Sequence, residues 1–159
     1  MDHDDALSLP LKGLFKGRDS DEEDALAREG KLSVWKVADQ DDLDRILAAV
    51  ATTRNTLANV DFPCFSDERL DDLGVKPQNS PEHGTTADET VNGWHYELTE
   101  VSLRRLADLV FLLLESAPAQ RKPWKEIEAL VTRGIQQGWI NIDKVDPTLR
   151  SKLRAAGAP

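Results

Sequence analysis

One cysteine, Cys64, stands in 159 residues, so the chain can form no disulfide with itself, which fits a reducing compartment. No apolar run approaches the ~20 residues a membrane-spanning helix needs. The longest stretch of strong hydrophobes, Leu109 to Leu114, is bracketed by Asp108 and Glu115. A basic leader is missing as well: Met1-Asp2-His3-Asp4-Asp5 is acidic where a secretory signal is positive. A cytoplasmic protein is therefore expected. Phosphate-cradling glycine patterns are absent, both Gly-x-x-x-x-Gly-Lys-Ser/Thr and Gly-x-Gly-x-x-Gly, and so is the Gly-x-Ser-x-Gly of a nucleophile elbow.

Positive charge is scarce. Twenty Lys and Arg face twenty-nine Asp and Glu, a net charge of −9. Phosphate neutralisation supplies most non-specific nucleic-acid affinity, so this balance argues against nucleic acid as the main partner. The excess is uneven: residues 1–30 hold nine acids and four bases, residues 31–97 thirteen and six, and residues 98–159 seven and ten. Such halves attract each other within a fold, or offer an acidic face to a basic partner.

What is present reads as α+β: a single mostly helical domain of four or five helices over residues 31–159, with a small sheet of two or three strands. Residues 1–30 read as a flexible acidic arm, because the run Asp19-Ser20-Asp21-Glu22-Glu23-Asp24 can bury nothing. Within the arm, residues 7–15 hold five large apolar groups. They predict either an extended piece lying on the domain or a docking peptide for another protein. Asp24 to Glu29 can form a helical turn stopped by Gly30.

Leu32 to Val37, β-branched and aromatic, predicts a strand. Asp39 then caps a helix over about residues 40–53, with its stripe at Leu43, Ile46, Leu47 and Val50. Val60 to Phe65 is a second strand candidate, with Pro63 forcing an edge or an irregularity. Strand, helix, strand in this order permits a βαβ crossover. Ser66 is placed to cap a short helix over 67–73, closed by Gly74. Residues 76–92, rich in Pro, Gly, Ser and Thr, read as a long exposed loop. Trp94, Tyr96 and Leu98 fit a strand or the first turn of a helix, and the helix is favoured. The strongest helical period runs from Leu98 to Ala117. Its apolar side carries Leu98, Leu103, Leu106, Ala107, Leu109, Val110, Leu113 and Leu114, and it is read as the rod the rest of the chain covers. Pro123 opens a helix with a stripe at Trp124, Ile127, Leu130, Val131 and Ile135 that ends at Gly138. Trp139, Ile140 and Ile142 predict a short extended link, and Asp146-Pro147 opens a last helix anchored by Leu149 and Leu153, fraying at Gly157.

Candidate chemistry is thin. Asp39, Asp41, Asp42 and Asp44 are dense, but the spacing of a calcium loop is missing, and capping with solvation accounts for them. Asp71 and Asp72 fall at a helix C-terminus, where negative charge is mildly unfavourable, which hints at a positive neighbour. His83, His95, Cys64 and Asp61 are the plausible metal set, but His83 and His95 lack the i, i+4 spacing of a helical zinc pair. Cys64, between Pro63 and Phe65, reads as a small core hydrophobe rather than a nucleophile. Arg150, Lys152 and Arg154 on the last helix, with the basic stretch 121–125, could serve a DNA-binding helix pair, but the connection from Gly138 to Asp146 is long for a tight turn.

The sequence reading is therefore a non-catalytic, acidic interaction protein of the immunity, antitoxin or adaptor kind. It binds a basic protein partner through Asp39, Asp41, Asp42, Asp44, Asp71 and Asp72, with no metal, cofactor or membrane involved. An enzyme or metal site in residues 61–97, and a nucleic-acid-associated regulator using the C-terminal helices, are the alternatives.

Overall fold

The computed structural model describes residues 6–8, 32–99, 101, 103–116 and 120–156. The strands are β1 (Ala6–Ser8), β2 (Leu32–Val37), β3 (Val60–Phe62), β4 (Cys64–Ser66), β5 (Pro77–Asn79), β6 (His95–Leu98) and β7 (Gln120–Lys122). The helices are α1 (Gln40–Ala51), α2 (Asp67–Asp72), α3 (Glu89–Gly93), α4 (Leu103–Ser116), α5 (Trp124–Gln137) and α6 (Pro147–Ala155), with 3-10 turns at Pro81–His83 and Ile142–Lys144. The α+β class expected from the sequence holds. The body of the sheet is small, β2 of six residues against β6 of four, and strands of three residues extend it to the order β4-β1-β2-β6-β5. Neighbouring strands are antiparallel throughout, and β3 and β7 form a separate ribbon.

β2 organises the layers. Side chains alternate across a strand, and here both faces are covered. Trp35 and Val37 join one buried cluster, Leu32 and Val34 another. The larger cluster holds α1, α5 and α6 against the first face through Leu43, Ile46, Leu47, Ile127, Val131, Leu149 and Leu153. The smaller holds Phe65, Leu70, Val75, Leu98 and Leu109, so α2 and α4 cover the second face.

This arrangement corrects the sequence reading of the core. The rod the chain is built around is α1, not the helix near Leu98 to Ala117. From Ile46 to Ala51 every residue of α1 is buried. Ala48, Ala49 and Ala51 carry so little side chain that β2 and α5 can approach closely, a property a count of large hydrophobes overlooks. In α4, by contrast, Leu109 is the one fully buried side chain among residues 104–111, and Ala107 is exposed.

Other expectations near α4 also change. Leu98 belongs to β6, which pairs with β2 on one side (Trp35 opposite His95) and β5 on the other, so the strand alternative wins over the helix favoured for 92–99. Residues 76–92 are not an exposed loop. They contain β5, a 3-10 turn and α3, and bury Ser80, Thr86, Ala87, Asp88 and Val91. Their polar composition hid this because hydrogen bonds, not apolar area, hold the segment in.

The strand at 32–37, the Asp39 cap and the helices opened by Pro123 and Asp146-Pro147 form as read, and α1 ends at Ala51. Pro63 splits its segment. β3 before it sends Val60 and Phe62 into the first cluster, and β4 after it sends Phe65 into the second. β2 and β4 each pair antiparallel with β1, so they run in the same direction with β1 between them, a split β-α-β unit whose connection is α1. Ser66 sits at the start of α2 without capping it through its hydroxyl. Gly74 and Gly138 close α2 and α5 with φ of 66° and 78°. Trp124 is 44% exposed rather than part of the α5 stripe. The link after Gly138 is a turn and a 3-10 segment rather than extended.

Of the segment 7–15, β1 takes up its first two residues as a strand inside the sheet. The charge run at 19–24, the turn at 24–29, the helix stop at Ala117 and the fraying at Gly157 lie outside the described residues.

Candidate functional site

The carboxylates at 39–44 are largely absorbed by α1 itself. Asp39 Oδ1 accepts from the Asp42 amide at 2.9 Å, and Asp42 Oδ2 accepts from the Ala38 amide at 3.3 Å, so the two acids cap the helix start reciprocally. Asp44 Oδ1 takes the Lys122 ammonium at 2.7 Å and the Gln40 amide at 2.9 Å, tying α1 to β7. Asp41 is exposed. Asp71 and Asp72 are exposed in the last turn of α2, whose one buried residue is Leu70. A Cβ built on Gly74, at that helix end, would lie 3.7 Å from Nη2 of Arg105, so α4 brings a guanidinium toward the negative end of α2.

The candidate set in 61–97 is spread over separate tasks. Asp61 holds Arg121 in two hydrogen bonds of 2.6 and 2.9 Å across the β3–β7 ribbon. That hydrogen-bonded carboxylate, and then its charge, raises the Arg121 pKa further above its already high value. His83 donates from Nδ1 to Glu97 Oε1 at 2.7 Å. His95, buried, donates from Nδ1 to the Ser80 carbonyl at 2.8 Å and meets Trp35 edge-on, with ring centroids 5.3 Å apart. Cys64 is half-buried in β4. Among the described residues no three His, Cys, Asp or Glu side chains gather as a metal-binding group.

The densest polar constellation was not foreseen. Asp88, 1% exposed, receives Arg45 in a fork: Nε to Oδ2 at 2.5 Å and Nη2 to Oδ1 at 3.0 Å. Oδ1 also accepts the Thr90 amide at 2.9 Å and so caps α3. The Arg45 guanidinium lies over two indoles, 5.8 Å from the Trp94 centroid and 5.3 Å from that of Trp139. Beside it the Thr86 hydroxyl meets Asn92 Oδ1 at 2.8 Å, and Asn92 Nδ2 returns a bond to the Thr86 carbonyl at 3.2 Å. Glu89 pairs with Lys144 at the rim. That hydrogen bond, and then the ammonium charge, hold the Glu89 carboxyl below the usual glutamate range. The constellation locks α1, α3 and the turn after α5 together. The one sequence signal for it was Asp88 two and three residues before Thr90 and Val91, an N-cap pattern. Its chemistry is saturated: each carboxylate and amide that converges there already has a partner, so it positions helices rather than substrates.

The basic residues of α6 also turn inward to the chain. Arg150 and Arg154 reach Asp143 at 3.6 and 3.8 Å, and Lys152 binds the Asn55 carbonyl and the Thr56 hydroxyl. A groove of about 540 Å³ between α5 and α6 is lined by Lys125, Glu128, Thr132, Arg133, Gln136 and Leu153, of mixed sign. Among the described residues the large hydrophobics left exposed are Phe111, at 65%, and Trp124. No described helix is long and apolar enough to cross a membrane.

No protein family, curated protein or solved structure matches this chain.

Proposed function

We propose that this chain is a non-catalytic interaction protein, an inhibitor or adaptor that binds a cationic protein partner through surface carboxylates. The observation that carries the reading is α2. It is a six-residue helix buried at Leu70 alone, and it presents Glu68, Asp71 and Asp72 to solvent. Asp71 and Asp72 stand in its last turn, where the helix dipole disfavours them; Arg105 approaches that helix end from within the chain, and a cationic partner would add to it on the solvent side. Asp41, exposed at the opposite, favourable end of α1, adds to the negative surface. Asp39, Asp42 and Asp44 serve mainly to cap and pin α1, so in this reading they contribute long-range field more than direct contact.

Such a surface acts first on the rate of encounter. Complementary charge raises association rates well above the ~10⁵–10⁶ M⁻¹s⁻¹ of uncharged pairs, and salt removes the gain. The test is to capture a partner with the full chain and measure association and dissociation rates separately. Raising salt from about 20 to 300 mM is expected to slow association about tenfold or more, and Asp71→Lys with Asp72→Lys to slow it several-fold, with dissociation little changed. An association rate indifferent to both would overturn the proposal.

A further inference from the structure

β1 reaches its place from far along the chain. It is three residues long and stands between β2 and β4, and residues 9–31 separate it from β2. Its register sets Ser8 opposite Trp35, three residues from the start of β2, so the ends to be joined lie about 10 Å apart. A handful of residues closes such a gap, whereas the stretch 9–31 can span about 75 Å. Take β1 away and β2 and β4 each lose a ladder on that side. The sheet therefore contains a slot with backbone donors and acceptors on both walls.

β1 fills the slot incompletely. It pairs with Trp35, Lys36 and Val37, half of β2, and among the described residues no strand pairs with Leu32 to Val34 on that side. Pro10, two residues after β1, brings no N–H to a ladder, so the chain's own sequence is a poor continuation of this strand. Trp35, opposite Ser8, keeps its indole N–H buried without an acceptor, so one wall retains a donor that β1 does not meet.

The register also fixes the character of a better occupant. The middle position of β1, Leu7, falls opposite Lys36 and Phe65, on the face of the smaller cluster. The outer positions, Ala6 and Ser8, fall opposite Val37 and Trp35, on the face of the larger cluster, where bulky groups already stand. Aliphatic on the first face and small on the second is the pattern the slot selects.

We infer that the slot between β2 and β4 is a strand-binding site, and that an extended segment of a protein partner takes it in place of β1. That segment has about six residues, alternates small and aliphatic side chains, and holds no proline. Main-chain hydrogen bonds along the whole of β2 supply the affinity, and the alternation supplies the choice of partner. β1 is the resident that covers both edges until the partner arrives. The slot lies within the sheet rather than on the carboxylates of α2, so this site and the charge-steered encounter stand or fall separately.

The probe is a synthetic peptide of residues 5–12, alongside the same peptide with Pro10→Ala, in which positions 6 to 11 alternate small and aliphatic throughout. Each is titrated into the isotope-labelled full chain and followed by NMR at the amides of β2 and β4. The Pro10→Ala peptide is expected to bind at least about fivefold tighter than its parent, because it carries the ladder past Trp35. Leu7→Pro in the chain, which expels β1 from the ladder, should tighten peptide binding about tenfold. About twenty Gly and Ser residues inserted after Gly17 leave the slot untouched and nearly double the connection. They should tighten binding about two- to threefold, since the local concentration of a tethered strand falls as the −3/2 power of its length. No shift at β2 and β4 with either peptide at about 2 mM, equal affinity for the two peptides, or a longer connection without effect would each overturn the inference.

Discussion

Removal of the Asp88 carboxylate tests the view that the polar constellation clamps helices together. Asp88→Ala deletes the α3 cap, which costs about 1 kcal/mol. It also deletes two charge-assisted hydrogen bonds from Arg45, and bonds to charged groups contribute about 1.5–3 kcal/mol. Breaking a fully buried pair costs ~3–5 kcal/mol because the charge left behind is stranded. Arg45 is 29% exposed and still rests on Trp94 and Trp139, so part of its charge returns to water and the lower end applies, about 3 kcal/mol. Arg45→Ala should cost somewhat more. It strands a carboxylate that is almost fully buried and removes both indole contacts, each worth ~0.5–1 kcal/mol at a partly exposed site. Asp88→Asn keeps a side chain that caps helices about as well as aspartate, and should cost less than Asp88→Ala. Urea unfolding of the two single variants and the double gives the coupling, expected at about 1.5–3 kcal/mol. A coupling under about 0.5 kcal/mol, or an Asp88→Ala variant within about 1 kcal/mol of the wild type, would show that the fork is ornamental and refute the clamp.

Three further outcomes follow from the packing and the rim charges. Gly134→Ala gains about 1 kcal/mol of helix propensity, yet its Cβ would fall 2.7 Å from Ile140 Cδ1 and Trp139 Cη2, so a net loss of about 1–2 kcal/mol is expected, and a raised melting temperature would contradict the close approach. Ile127→Ala, in the cluster joining α5 to α1, should cost about 3–4 kcal/mol by urea unfolding, and a loss under 1 kcal/mol would show the site to be loosely packed. Lys144→Met removes the group that lowers the Glu89 pKa. A folded value below the unfolded one adds stability above the ordinary glutamate range and loses it as pH falls through the lowered value, so the gap in melting temperature between variant and wild type should be greatest near neutral pH and narrow below about pH 4, and a gap that widens in acid would reverse the sign.

Much of the fold was legible where one local rule decided it. Leu32 to Val37 read as a strand because β-branched and aromatic residues suit a pleated surface. Asp39 and Asp146-Pro147 announced helix starts because free backbone amides need an acceptor. Gly74 and Gly138 announced helix ends because positive φ suits glycine. Residues 76–92 failed because their burial depends on partners far away in the chain: Asp88 goes inside only because Arg45 meets it, forty-three residues earlier. The strand His95–Leu98 failed for a similar reason, since its pairing with β2 and β5 outweighs the helical period that begins just after it.

The candidate site divides in the same way. That Asp39, Asp41, Asp71 and Asp72 are exposed carboxylates followed from composition and helical position, while Asp42 and Asp44 are half-buried. That Asp44 is held by Lys122 and that Arg105 reaches the end of α2 depended on which elements become neighbours.

By itself the sequence determined the α+β class, the acidic surplus, the caps and the stops, because each depends on residues within a turn or two of one another. Only the tertiary structure decided that the alanine-bearing α1 is the buried rod and that α4, over residues 104–111, fully buries Leu109 alone and leaves Phe111 largely in water. The physical reason is that burial is shared. A helical period shows which side of a helix is apolar, but the surface that comes to cover that side, and whether small side chains let it approach, is set by elements distant in the chain.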